Sequence, residues 1–372
     1  MSKLFPSSTL LALLTYVSAT PIYTKPTHQP SAFNLPTSYA ALGDSFSAGL
    51  GSGFFLNISA DRSDIACARQ DGSYPTQLLE LNPFVDEHLD FEFTACSGDV
   101  LDDIDGQVAK LTGKTFDLIT LTIGGNDFGF SDIAAACVYP TLIDGVKDFQ
   151  GICDAAFDEG FAQVANQSNW DKYAQKLSLI KHDLLNPAGR VFITGYPKFF
   201  AEPEHGDACD SISFFPIPKL AALNMTAANR LRANDLTVQI NNGIENVICA
   251  NGGPDVEFVD FDRLLEGKRF CEPANTEDPI GANDPNVLFN DLTTILAVPG
   301  IAEAEKQTPG LTGIDITDKI QQSSVFHPKA AAHRILAAEL NFRILLESFV
   351  LTEDDKGHAL SLSEVRALKC KS

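Results

Sequence analysis

A chain of 372 residues, 44% hydrophobic and 20% charged, has the composition of a globular protein with enough apolar residues for one large core or two modest ones. Its 27 basic and 49 acidic residues leave a formal net charge of −22. That surface repels nucleic acid and anionic membranes, which argues against a role built on binding either.

The first 19 residues read as a secretory signal peptide. Lys3 supplies the positive start, Leu4 to Val17 an apolar stretch too short for a membrane span, and Val17-Ser18-Ala19 the small residues of a cleavage site. Residues 20–36 are polar and proline-rich and read as a linker. One catalytic domain is expected over 37–350, followed by a polar tail over 351–372. Secretion gives meaning to eight cysteines, an even set expected to form disulfides. It also gives meaning to three glycosylation sequons, at Asn57, Asn166 and Asn224. The cysteines lack the close paired spacing of a zinc site, so no metal is expected. No later stretch is long and apolar enough to cross a bilayer.

The first predicted strand, 38–42, runs into Gly43-Asp44-Ser45. The glycine-rich segment that follows is expected neither to extend the strand nor to begin a helix at once. A helix is predicted over 76–81 and a second strand over 89–94, the latter leading into Ala95-Cys96-Ser97-Gly98. Helix is predicted again over 99–111. The β-branched run Leu118–Ile123 is the clearest strand and stops at Gly124-Gly125-Asn126-Asp127. Tyr173, Leu177, Ile180 and Leu184 recur at helical spacing up to Pro187. Strands at 191–194 and 256–260 flank a helix at 227–248, and a long helix follows Pro328. Strands alternating with helices predict a five-stranded parallel sheet in an α/β fold.

In such a sheet the carboxyl ends of the strands share one edge, where ligands bind. Ser45, Gly98 and Asn126 all fall there, and His327 stands just before the last helix. Ser45 is the candidate nucleophile and His327 its base. The backbone N–H groups of Ser45 and Gly98 and the Asn126 amide are candidate donors to an oxyanion. The other histidines, His333 among them, read as structural or solvated. No Gly-x-Ser-x-Gly is present, which excludes the α/β-hydrolase elbow.

These four blocks, Gly43-Asp44-Ser45, Gly98, Gly124-Gly125-Asn126-Asp127 and His327, resemble those of the SGNH hydrolases, also called GDSL esterases/lipases. The likeness runs from about Tyr39 to Leu340. Ala95-Cys96-Ser97-Gly98, Gly195-Tyr196-Pro197 and Phe326-His327-Pro328 look like the secreted branch that includes actinomycete lipases and their fungal relatives. The resemblance implies a three-layer α/β/α, flavodoxin-like fold and hydrolysis of carboxylic esters without metal or organic cofactor. It also implies the disulfides Cys67–Cys96, Cys137–Cys153 and Cys209–Cys271. Cys249 and Cys370 are left over, and a tie between tail and domain is one arrangement open to them.

One position departs from the family pattern. Where an aspartate usually stands three residues before the histidine, this chain has Ser324. The expected substitute is the Ser324 backbone carbonyl, accepting from His327 Nδ1–H, with Asp315 and Asp318 as the fallback. Phe128, Phe130 and the pairs Phe199-Phe200 and Phe214-Phe215 are candidates for an acyl groove, with plain packing equally open to each.

The function implied is a secreted lipase or esterase, acting as a monomer on a small-molecule, lipid or carbohydrate ester. The alternatives are a hydrolase-fold protein that only binds glycan or cell wall, and an acyltransferase using the same residues.

Overall fold

The computed structural model describes residues 36–56, 63–81, 89–138, 148–203, 208–213, 223–273, 284–291 and 324–346, together with 352–353, 359–360 and 370. The predicted signal peptide, all of the linker but its last residue and most of the tail lie outside them, as do Asn57, Phe214, Phe215, Asp315 and Asp318.

Strands β1 (Ser38–Gly43), β2 (Asp90–Phe93), β3 (Phe116–Thr122), β4 (Leu185–Thr194) and β5 (Val256–Val259) form one sheet in the order β2-β1-β3-β4-β5. Every pairing within it is parallel. This is the doubly wound order of flavodoxin-like folds. β1 and β3 are buried along most of their length because a central parallel strand is covered on both faces; Ala40, Ala41, Leu42, Ile119 and Leu121 are all buried.

The parallel pairing requires crossover connections, and these place helices on the two faces. Helix α1 is Ser45–Ala48, α2 is Ser63–Ala66 and α3 is Tyr74–Leu81. After β2 comes α4 (Ile104–Ala109), entered through a 3₁₀ turn at Leu101–Asp103. After β3 come α5 (Phe130–Ile133), a π-helical turn (Ala134–Val138), α6 (Phe149–Ala165) and α7 (Gln167–Leu184). Helix α8 is Ala227–Val247, α9 is Phe261–Leu264 and α10 is Ala330–Leu346. One layer packs α10 on α3 and α9; the other packs α4, α7, α8 and α6 side by side. Tyr173, Leu177, Ile180 and Leu184 form the buried stripe of α7, as their spacing predicts.

Two local readings are corrected. A helix does begin at once after Gly43, because the Asp44 carboxylate accepts from the Phe46 backbone N–H and caps α1; Gly49, left-handed, ends it after one turn. β4 begins six residues earlier than its apolar run, and its pairing with β3 is irregular between Phe116 and Leu118. Pro187 lies in that irregular stretch, where a missing N–H does least harm.

Four disulfides join Cys67 to Cys96, Cys137 to Cys153, Cys209 to Cys271 and Cys249 to Cys370. The first fastens the loop after α2 to the turn after β2, where the Ser97 N–H also donates to the Cys67 carbonyl. Arg69 supports the same turn. It is buried, donates to Asp64 at 2.7 Å and to Ser63 Oγ at 2.7 Å, and reaches the Ala95 carbonyl at 3.1 Å. Asp64→Ala strands that buried guanidinium without its carboxylate. The expected cost is about 3–5 kcal/mol of unfolding free energy, read from urea denaturation. A loss under about 1 kcal/mol would mean the pair is solvated in solution.

Candidate active site

The site is built on the end of β1. Gly43 has φ +129°, and a Cβ there would fall 2.1 Å from the Thr122 carbonyl oxygen of β3, so no other residue fits. The Asp44 N–H donates to that same carbonyl at 2.8 Å. The chain then turns into α1, and Ser45, its first residue, lies at the sheet edge, 8% exposed.

His327 arrives from the other end of the chain. Phe289 and Pro328 form an antiparallel bridge. Across it, Asn290 N–H donates to the His327 carbonyl at 2.9 Å and accepts at its own carbonyl from Phe326 N–H at 2.9 Å. The Asn290 side chain also donates to the Gly51 carbonyl, tying this bridge to the loop after Ser45. The outcome is a separation of 2.6 Å between His327 Nε2 and Ser45 Oγ, bridging 282 positions of sequence. The Phe46 ring packs against the imidazole with centroids 4.9 Å apart.

The carbonyl beside the imidazole is not the one the sequence suggests. The Ser324 carbonyl accepts the backbone N–H of His327 at 3.0 Å. His327 Nδ1 instead faces the Val325 carbonyl at 3.3 Å. The tight turn through Phe326, with φ +64°, uses the Ser324 oxygen to close itself and leaves the next carbonyl beside the ring.

Gly98 has φ +92° and open space where a Cβ would stand, so its backbone can approach a ligand closely. The Asn126 amide is held from both sides. Its Nδ2 donates to the Asp99 carbonyl at 2.9 Å, and its Oδ1 accepts from Ser131 Oγ at 2.6 Å, leaving one N–H for another acceptor. The backbone N–H groups of Ser45 and Gly98 donate to no described residue. Ser45, Gly98, Asn126 and His327 all line one cavity.

Tyr196 was legible only as part of the Gly195-Tyr196-Pro197 turn after β4. Its hydroxyl donates to Asp44 Oδ2 and accepts from the Gly125 N–H at 2.8 Å, so one buried phenol joins the ends of β1, β3 and β4. Burial pushes the Asp44 carboxyl up to about 7, against the lowering effect of the Tyr196 and Phe46 hydrogen bonds. Asp127 is pushed up to about 6, again by burial, while its oxygens cap the Leu101 N–H. Asn290 carries no sequence signal at all.

The cavity measures about 280 Å³. Beyond the polar residues its walls are apolar, with Phe130, Phe157, Phe199, Phe200, Met225 and Leu236 among them. Phe128 is not a wall; it stacks on Trp170, centroids 4.5 Å apart, in the core. Among the described residues no helix is long and apolar enough to cross a membrane.

Known proteins share this framework. A lipase of Streptomyces rimosus is 31% identical over 168 residues, 44% of this chain and 54% of the relative. Lipase 1 of Streptomyces coelicolor is 30% identical over 186 residues, 50% of this chain and 59% of the relative. The chain thus spans little more than half the length of these two relatives. The crystal structure of the extracellular lipase from Streptomyces rimosus superposes with a TM-score of 0.55 at 22% identity, covering 82% of this chain and 98% of that one, which supports the shared fold. Residues 41–335 match the GDSL-like lipase/acylhydrolase family from within β1 into α10, and so take in all four strand-end and loop blocks. On that match the chain belongs to the GDSL-like lipase/acylhydrolase family.

Proposed function

We propose that this protein is a secreted serine hydrolase of carboxylic esters, with one catalytic domain over about 37–350 behind a cleaved signal peptide. The 2.6 Å contact between Ser45 Oγ and His327 Nε2 carries the reading. Ser45 Oγ attacks the ester carbonyl while His327 Nε2 takes its proton and then delivers it to the leaving alcohol. Water repeats the sequence on the acyl-enzyme. The Val325 carbonyl accepts from Nδ1–H and so keeps Nε2 in its basic form at the start. The Ser45 and Gly98 N–H groups and Asn126 Nδ2 donate to the oxyanion.

The apolar cavity suits the acyl part of the ester rather than a charged or sugar alcohol. Turnover of p-nitrophenyl esters from acetyl to palmitoyl tests both points, with Ser45→Ala as control. A medium-chain optimum is expected; a wild-type protein inert on the whole series defeats the esterase reading. Exposed Asn166 and Asn224 stand where glycans can attach. Asn126→Ala is expected to lower kcat by about 10²–10³-fold, roughly 3–4 kcal/mol, with little change in KM. An unchanged kcat would remove Asn126 from the oxyanion hole.

A further inference from the structure

Gln107, on α4, is 1% exposed and lies behind the site rather than in it. Its Oε1 accepts from the Gly43 N–H at 2.8 Å, and its Nε2 donates to the Gly43 carbonyl at 2.8 Å and to Asp99 Oδ2 at 2.7 Å. All the strong hydrogen-bonding directions of one amide but a second lone pair are used. The orientation of the amide is determined chemically, since a backbone N–H can meet only the oxygen.

The reason for this arrangement lies in the sheet. The regular register of β2 on β1 ends with Ala41 opposite Phe93; beyond it the Thr94 and Ala95 N–H groups both donate to the Ala41 carbonyl, so the ladder is irregular before the chain reaches Gly98. The Gly43 carbonyl still accepts from the Cys96 N–H at 2.9 Å, whereas the Gly43 N–H finds its acceptor in the Gln107 side chain. The Gln107 amide completes this irregular end of the ladder, meeting the Gly43 N–H and sharing the Gly43 carbonyl with Cys96. Through Asp99 it reaches further: the Asp99 carbonyl is the acceptor that holds Asn126 Nδ2, and Asp99 directly follows Gly98. One buried amide therefore touches the residue two before Ser45 and the residue that fixes both other oxyanion donors.

We propose that Gln107 is a positioning residue for ester hydrolysis, holding the nucleophile turn and the Gly98 and Asn126 donors at the separation the oxyanion requires. The proposal rests on the esterase reading above. Misplacement of reacting groups by about 1 Å costs on the order of 100-fold in rate. Packing of α4 is the work of Ile104 and Val108, both buried, so the amide itself is not needed for the core.

The test measures kcat and KM on a p-nitrophenyl ester, per active site titrated with a p-nitrophenyl phosphonate. Gln107→Leu is expected to lower kcat about 10–100-fold with KM within twofold. In Gln107→Glu the new carboxyl faces Asp99. Protonated, it donates to Asp99 and accepts from Gly43; ionised, it repels Asp99. Its deficit relative to wild type is therefore expected to be smaller at pH 5 than at pH 8. Asp99→Ala, on a half-buried turn, provides a variant that spares the core: kcat should fall several-fold and recover in Asp99→Asn. A Gln107→Leu kcat within threefold of wild type, a pH-independent Gln107→Glu deficit, or equal kcat for both Asp99 variants and wild type would each overturn the assignment. Wild-type turnover that is absent, or that survives in Ser45→Ala, would instead indict the esterase reading.

Discussion

Ser45→Ala and His327→Ala are each expected to lower kcat for ester hydrolysis by about 10⁴–10⁶-fold, and the double variant to lose no more than the worse single one. The two side chains act as one unit. The 2.6 Å contact lets Ser45 Oγ lose its proton only to His327 Nε2, so removing the base leaves an alcohol of ordinary, weak nucleophilicity. Removing the alcohol leaves a base with nothing to activate but water. What survives in either variant is the contribution of the oxyanion donors and the apolar cavity, which do not depend on the pair. KM should change little, because neither group grips the acyl chain. Turnover per folded molecule on one p-nitrophenyl ester decides the matter. Losses that multiply in the double variant would show that the two residues act independently.

The second large effect concerns pH and stability. His333, on α10, is fully buried and stacked on Tyr74, with centroids 6.2 Å apart. Neither ring nitrogen has a hydrogen-bond partner among the described residues. Burial first, and the nearby His327 second, bring its pKa from 6.5 down to about 3. Between those values the unfolded chain binds a proton that the folded protein refuses. Stability from this group is therefore complete above about 6.5 and falls as the pH drops toward 3, by on the order of 5 kcal/mol in all.

Asp44 and Asp127 act in the opposite sense. Their folded pKa values, about 7 and about 6, lie above the ordinary 3.8. The stability they contribute is present at low pH and lost as the pH rises through those values. The wild-type profile mixes the two signs, so a variant has to separate them. His333→Leu is expected to gain on wild type progressively as the pH falls below 6.5. Urea midpoints of both proteins at pH 4, 5, 6 and 7.5 give the comparison. A midpoint difference that stays constant over that range would mean that the ring titrates normally.

The chain by itself determined the candidate catalytic residues and their order. A serine, a glycine, an asparagine and a histidine at strand ends or loop ends are legible because local patterns mark them: an apolar run stopping at glycine, or a proline after histidine. The parallel sheet was equally legible, since its strands alternate with helices along the chain. Even the buried stripe of α7 follows from spacing alone.

Tertiary structure decided which atoms serve which partners. The Val325 carbonyl, rather than that of Ser324, faces His327 because a backbone turn through Phe326 consumes the earlier oxygen. Asn290, Tyr196 and Gln107 join segments between 37 and 239 positions apart, and no local pattern encodes such bonds. His333 has the same helical neighbours as any apolar residue of α10, and only the packing of α3 against it leaves the imidazole neutral and unpartnered. Periodicity and turn chemistry act over a few residues and are written in the chain; hydrogen-bond choice and burial depend on what arrives from elsewhere, and are settled only when the sheet brings distant loops to one edge.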